Sequence, residues 1–496
     1  MRLKNFEEWF AIRPNHSDKA DHLSGRLTFD LDAGIYLDTI RFSESSEKQE
    51  SFLVSGQTLT GWLDYQRPAT LIQPWLQKIG GLKIGMDTPA MRESRRFVAH
   101  ALLKNVFLED ISTPIFTGLV VEHPAFHAWV NPRLVNRDWS RPENVGLASL
   151  SVDVQPPQQR IFTLADGTQA KITSATRVAN GEATTLEEYT VLKLQFPEPI
   201  DFDAITGLAW RVSALFEFLI GARVSAPIYY LPTTHKRMWN NEEREVIAEY
   251  WYRPISRKNR RDALPDAYDR LTFEKQSPVP LETLLSHIVE GSDELIFVAD
   301  QIQSVEDYDL PITQGYGELL GCLEAFDERT FGSGSDENFT HGMKSLKDLV
   351  EKHGSIADID LFKRISGTAS NRFSLLKRLE RLHQMWKEDG FRGSPNLKRI
   401  RDLRNVIPHG RGLEMSSDVA QEMVTYLRYL TALGRYHVLK VLGFTGDQIG
   451  AAFSWHAHRY GMFIPERMIP SYQEIDHNIR IGDEAESLDL SAQTPS

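Results

Sequence analysis

Apolar and polar residues alternate through the first half of the chain and recur every three to four positions through the second. In LSGRLTFDLDAGIYLDTIRF, Leu27, Phe29 and Leu31 precede Asp32 to Gly34, and Ile35 and Leu37 follow, the pattern of a β-hairpin. FLVSGQTLTGWLDY, FTGLVVEH, RIFTLADGTQAKITSATRV (with an Asp-Gly turn at Asp166) and EYTVLKLQF predict further strands. The period then changes. DFDAITGLAWRVSALFEFLIGARV places Ile205, Leu208, Val212, Leu215, Phe216 and Leu219 on one helical face, with Gly221 as a stop. IYYLP and EVIAEYWYRP return to strand character. From Pro280 onward, LETLLSHIVEG, GELLGCLEAFDERTF, NFTHGMKSLKDLVEKHG, NRFSLLKRLERLHQMWKEDG and SPNLKRIRDLRNVI predict helices, and a long last helix spans about Ser417 to Leu442. Asp418 with Gln421 resembles a capping box at its start, and Gly443 lies beyond its end.

This order predicts an α+β protein in two parts, a β-rich sandwich or open barrel followed by an all-α bundle. The expected boundaries are a β-rich domain at 1–240, a connecting strand and helix region at 241–310, a helical domain at 311–470 and an acidic tail at 471–496. The apolar share of 41% and charged share of 25% are those of a soluble globular protein. No window reaches the ~18–20 uninterrupted apolar residues of a membrane span, and the first residues lack a secretory leader's apolar core. The expected location is therefore cytoplasmic, without membrane partners. The lone Cys322 lies among Leu319, Leu320 and Leu323, as a buried structural thiol would.

The net charge of −12 argues against nucleic acid as a partner, but the average conceals a reversal. From Lys363 to Arg411 there are thirteen Lys or Arg against four acids, a local charge of +9. Within this segment lies Arg404-Asn405-Val406-Ile407-Pro408-His409-Gly410. Arg and His separated by four residues also occur at Arg95/His100 and Arg378/His383, so spacing alone selects nothing. Arg378 and His383 would sit ~140° apart on a continuous helix. Pro408, in contrast, cannot continue the helix patterned by Leu397, Ile400, Leu403 and Ile407, so His409 leaves it and can turn toward a ligand held by Arg404. Asn405 can hold the local geometry, and Lys398, Arg399, Arg401 and Arg411 surround the pair with positive charge. The bland reading stands beside this one: Pro-His-Gly is an ordinary loop, and a basic helix face is usually solvated. Glu122-His123 with His127, and His456 with His458, lack metal-ligand order, and GGLKIG lacks that of a phosphate loop, so neither metal, cofactor nor NTP is expected.

Arg-Asn-x-x-x-His within a run of helices resembles the signature of the HEPN superfamily, here Leu403-Arg404-Asn405-Val406-Ile407-Pro408-His409-Gly410. LSGRLTFDLDAGIYLDTIRF, SGQTLTGWL and DFDAITGLAWRVSALFEFLIGARVSAPIYY are similar to the N-terminal region of the ApeA proteins, a bacterial anti-phage group. The resemblance implies a HEPN bundle from about Gln314 to Leu442, metal-independent RNA cleavage by Arg404 and His409, a homodimer formed through the helical domain, and abortive infection on an unknown phage trigger. RNA is the implied substrate, with tRNA a candidate. Two other readings remain: a non-catalytic HEPN protein binding RNA or nucleotide, and an interaction scaffold. The aromatics Trp62, Trp129 and Trp210 are expected in the core, and RPISRKNRR (Arg253 to Arg261) is either an RNA contact or a solvated linker.

Overall fold

A computed structural model of the chain describes residues 5–465 apart from 13–23, 31–32, 44–57, 84–90, 141–148, 181–183, 225–226, 253–269, 273, 292, 308–310, 333–336, 357, 360, 364–373, 407–415 and 456. It divides into two compact units, Met1–Ile296 and Phe297–Ser496. The first is β-rich and the second helical, so the fold is the two-part α+β arrangement that the patterning predicts. RPISRKNRR and the acidic tail lie outside the described residues.

The strands of the first unit, in chain order, are β1 (Phe6–Ile12), β2 (Ser24–Asp30), β3 (Gly34–Ser43), β4 (Thr58–Leu63), β5 (Arg67–Ile72), β6 (Trp75–Lys83), β7 (Met91–Ala99) and β8 (Ala101–Lys104). They continue with β9 (Phe116–Val121), β10 (Val135–Ser140), β11 (Ser149–Val154), β12 (Gln158–Thr163), β13 (Gln169–Asn180), β14 (Thr184–Ile200), β15 (Tyr229–Trp239) and β16 (Glu242–Tyr252). Fourteen of them form one sheet, in the order β12-β13-β14-β9-β15-β16-β8-β5-β4-β1-β2-β3-β7-β6, while β10 and β11 pair separately. The sheet runs on through β16 to Tyr252.

A flat sheet would hold Trp251 of β16 and Phe6 of β1, four strands apart, at about 19 Å, given ~4.8 Å per strand. Their ring centroids are 4.9 Å apart, and those of Trp251 and Phe29 are 5.2 Å apart. The middle of the sheet is therefore rolled, with one core of Phe10, Leu27, Phe29, Leu37, Leu71, Phe97, Leu102 and Trp251. The hairpin read from LSGRLTFDLDAGIYLDTIRF is present, with Leu27 opposite Leu37 and Phe29 opposite Ile35. Inside the roll, Lys104 lies 3.5 Å from the Phe6 ring centroid and donates to Glu8 Oε1 at 2.8 Å. Burial pulls its pKa down, against the opposing pull of Glu8.

Two helices of this unit frame its second half, α1 (Pro124–Val130) and α2 (Phe202–Ile220). α2 starts where the Asp201 carboxylate accepts from the Ala204 N–H at 2.9 Å, and it ends at Gly221 with φ 70°, as the pattern predicts. α1, at the Glu122-His123 stretch, is not legible from periodicity because it spans only 7 residues. Trp129 is fully buried there, Trp62 packs edge-on against Phe107, and Trp210 is half-buried.

The described helices that follow include α3 (Leu281–Val289), α4 (Asp293–Asp307), α5 (Ile312–Phe331), α6 (Glu337–His353), α7 (Leu375–Glu388), α8 (Leu397–Val406), α9 (Ser417–Val441), α10 (Gly446–Trp455) and the short α11 (Ala457–Tyr460). The division between the units falls within α4. In the second unit α5 packs against α7, α8 and α9. Trp386 is the centre of an aromatic core with Phe391, Tyr429, Tyr436 and Phe463. Contrary to the capping box expected at Asp418, α9 is capped by Ser416, whose hydroxyl accepts from the Val419 N–H at 3.4 Å, and Asp418 lies in the first turn. A serine just before the first helical residue satisfies that donor, leaving no capping-box role to Asp418. Cys322 is buried, and burial pushes its thiol up to about 12. Among the described residues no helix is long and apolar enough to cross a membrane.

His437 gives this unit an acid limit. Its Nε2–H donates to the Leu382 carbonyl at 3.0 Å, its Nδ1 has no partner among the described residues, and burial lowers its pKa to about 4. The unfolded chain would protonate it near 6.5, so the stabilisation is complete above that pH and is lost as pH falls toward 4, by about 3 kcal/mol. The expected outcome is that thermal melts of wild type fall more between pH 6.5 and 4 than those of His437→Gln. Parallel falls would contradict this.

Candidate active site

α8 is set by its two faces. Asn396 accepts the Arg399 N–H at 3.0 Å at its start, and Ile400 and Leu403 are buried. The Tyr316 hydroxyl of α5 donates to the Ile400 carbonyl at 2.9 Å, fixing the helix against its neighbour. Arg404 follows Leu403 in the last described turn, about a third exposed, and its Nη2 donates to Glu324 Oε2 of α5 at 3.2 Å. Asn405 and Lys398 are exposed.

The neighbouring arginines are not all available as bare positive charge. Arg399 binds both oxygens of Glu422 on α9, with Nη2 to Oε2 at 2.9 Å. That hydrogen bond raises Arg399 and lowers Glu422. Arg401 pairs with the adjacent Asp402. Of the α8 cations, Lys398 alone has no ion-pair partner among the described residues. His409 and Arg411, with Ile407, Pro408 and Gly410, lie outside the described residues. The structure thus places Arg404, Asn405, Lys398, Arg399 and Arg401 on one short helix. Glu324 is the residue that sequence reasoning missed. It stands on an apolar-patterned helix 80 positions before Arg404, and nothing in either local pattern links the two.

The rival spacing at Arg378 and His383 has structural work. Arg378 is buried and donates to Asp327 Oδ2 at 3.4 Å and to Glu328 Oε2 at 3.0 Å. His383 Nδ1 lies 2.8 Å from the Tyr429 hydroxyl, and burial first, then Lys387, lowers its pKa. Arg95 is on β7 and His100 just past its end. The histidines near Glu122 are structural as well. His123 Nδ1 accepts the Ala125 N–H at 3.1 Å, which leaves Nε2–H to donate to Ser213 Oγ at 3.0 Å, the wrong direction for a base acting on that serine. His127 Nδ1 lies 3.1 Å from Thr190 Oγ1. Among the described residues no three His, Cys, Asp or Glu group as metal ligands.

A rolled antiparallel sheet unit followed by a helical unit defines a two-part α+β protein whose candidate chemistry lies on a helix end in the second part. Residues 8–226 match the family model described as ApeA N-terminal domain 1. The match lies within the β-rich unit, which is thus similar to the N-terminal domain of the ApeA proteins. No curated protein and no solved structure matches the chain.

Proposed function

We propose that the chain is a metal-independent endoribonuclease of an anti-phage abortive infection system, with a HEPN-type helical unit and Arg404 and His409 as its catalytic pair. The observation that carries this reading is the position of Arg404, part-exposed at the described end of a basic helix, five positions before His409, in a chain whose β-rich unit is similar to the ApeA N-terminal domain. Arg404 would grip the scissile phosphate in place of Glu324 and stabilise charge on it. His409 would take the proton of the ribose 2′-OH, whose oxygen attacks phosphorus. The P–O5′ bond breaks, the leaving oxygen is protonated by a second imidazole, and a 2′,3′-cyclic phosphate remains. A homodimer through the helical unit would supply that second His409. Asn405 would position the pair, and Lys398, with Arg399, Arg401 and Arg411, would contact RNA, tRNA being a candidate.

The carboxylate partners of Arg399, Arg401 and Arg404 favour a second reading, a non-catalytic RNA- or nucleotide-binding protein, because they offset the local positive charge. Phage plaquing on cells expressing the chain separates the two. The nuclease reading expects protection that is lost with either Arg404→Ala or His409→Ala at equal protein level. Protection that persists with both substitutions contradicts it.

A further inference from the structure

The β15–β16 hairpin carries a second candidate site, within the β-rich unit. Its two-residue tip, Asn240 (φ 50°) and Asn241 (φ 63°), has the left-handed backbone that a tight hairpin turn needs. Lower down, between the pairs Pro232–Ile247 and Lys236–Glu245, three residues of β15 face one of β16, a bulge that bends the hairpin. Beyond the bend its residues leave the β8 partner strand, and an open groove of about 510 Å³ lies between this arm and the segments that hold Gln66 and Phe107.

Three features of this groove are costly in the free protein. Arg237 and Arg244 stand directly opposite each other, a like-charge pair that sheets avoid. Arg244 is offset by Glu242 at 2.8 Å, but Arg237 has no ion-pair partner among the described residues. Trp239, two positions along from Arg237 and so on the same face, is 57% exposed. On the opposite bank, Gln66 has φ of 56°, a left-handed conformation that bulky side chains rarely adopt, and its chain neighbour Tyr65, with φ of 61°, is 96% exposed. Glu245, which lines the groove, is engaged, accepting from Thr117 Oγ1 at 2.7 Å, and the lining Lys236 is held by Glu243 at 3.0 Å.

We propose that this groove binds a segment of single-stranded nucleic acid, with bases stacked on Trp239 and Tyr65 and backbone phosphates held by Arg237 and Arg244. Exposed aromatic faces beside guanidinium groups, in a channel open to solvent, suit a flexible strand with π-faces and one negative charge per unit. An acidic peptide would answer the arginines but leave the aromatic faces unused. The site is independent of Arg404 and His409, which lie in the other unit.

The test is fluorescence anisotropy of a labelled 12-mer of deoxythymidine with the full chain at low salt. This probe lacks the 2′-OH and resists the proposed cleavage. Wild type is expected to bind. Trp239→Ala, and the double change Arg237→Ala with Arg244→Ala, should each weaken binding by roughly tenfold or more, while Lys347→Ala, an exposed cation on α6 outside both sites, leaves it unchanged. All these side chains are exposed, so unchanged melting temperatures are expected for the groove variants. Absence of binding by wild type, equal binding by the groove variants, or loss only with Arg404→Ala would overturn the proposal.

Discussion

Alanine at Arg404 or His409 is expected to slow RNA cleavage by the full chain roughly 10²- to 10⁴-fold, the range for removing a general acid–base group or an oxyanion-stabilising donor. Both losses should appear in kcat, because proton transfer and phosphate charge matter most in the transition state. Arg404→Ala should not unfold the protein, since that side chain is part-exposed and makes a single described ion pair. Glu324→Gln offers a graded comparison. The carboxylate competes with phosphate for the guanidinium but also orients it, so a change of less than about tenfold, in KM more than kcat, is the expected result. His383→Ala should leave cleavage untouched, because its ring is committed to Tyr429. Full activity in Arg404→Ala together with loss in His383→Ala would reverse the assignment between the two motifs.

The second large effect is on stability. Asp327 is fully buried on α5 and receives Arg381 through Nε at 2.8 Å as well as Arg378. Removing its carboxylate leaves guanidinium charge buried without its main counterion, a loss of about 3–5 kcal/mol. For a unit of this size each kcal/mol is worth roughly 2–4 °C, so Asp327→Ala should lower the melting temperature of the helical transition by about 6–20 °C. An unchanged melting temperature would show that this network contributes nothing. The outcome bears on function as well: it accounts for Arg378 as a structural cation rather than a phosphate ligand.

Much of this architecture was legible because burial leaves a period in the sequence. Leu27, Phe29, Ile35 and Leu37 alternate because the rolled sheet buries one face, and Ile205, Leu208, Val212 and Leu215 recur at helical spacing because α2 buries one stripe. What stayed hidden is what depends on distant partners. β1, β6 and β8 are short or only weakly alternating, and the roll itself is set by contacts such as Phe6 with Trp251. The motif at Arg404 was legible as a spacing, and its distinction from Arg378/His383 rested on Pro408. The structure adds a separate reason, the burial of Arg378 against Asp327 and Glu328. Glu324 and Glu422 could not be read at all, since a carboxylate on one helix carries no sign of the arginine that it will meet on another.

The most direct measurement is the chemistry of the product ends. The full chain is incubated with a defined RNA in excess EDTA, beside the same RNA carrying 2′-deoxy sugars. A nuclease built on Arg404 and His409 is expected to cut the first, leaving 2′,3′-cyclic phosphate and 5′-hydroxyl ends, and to spare every position that lacks the 2′-OH. Cleavage of the deoxy substrate, 5′-phosphate products, or activity that EDTA abolishes would contradict it.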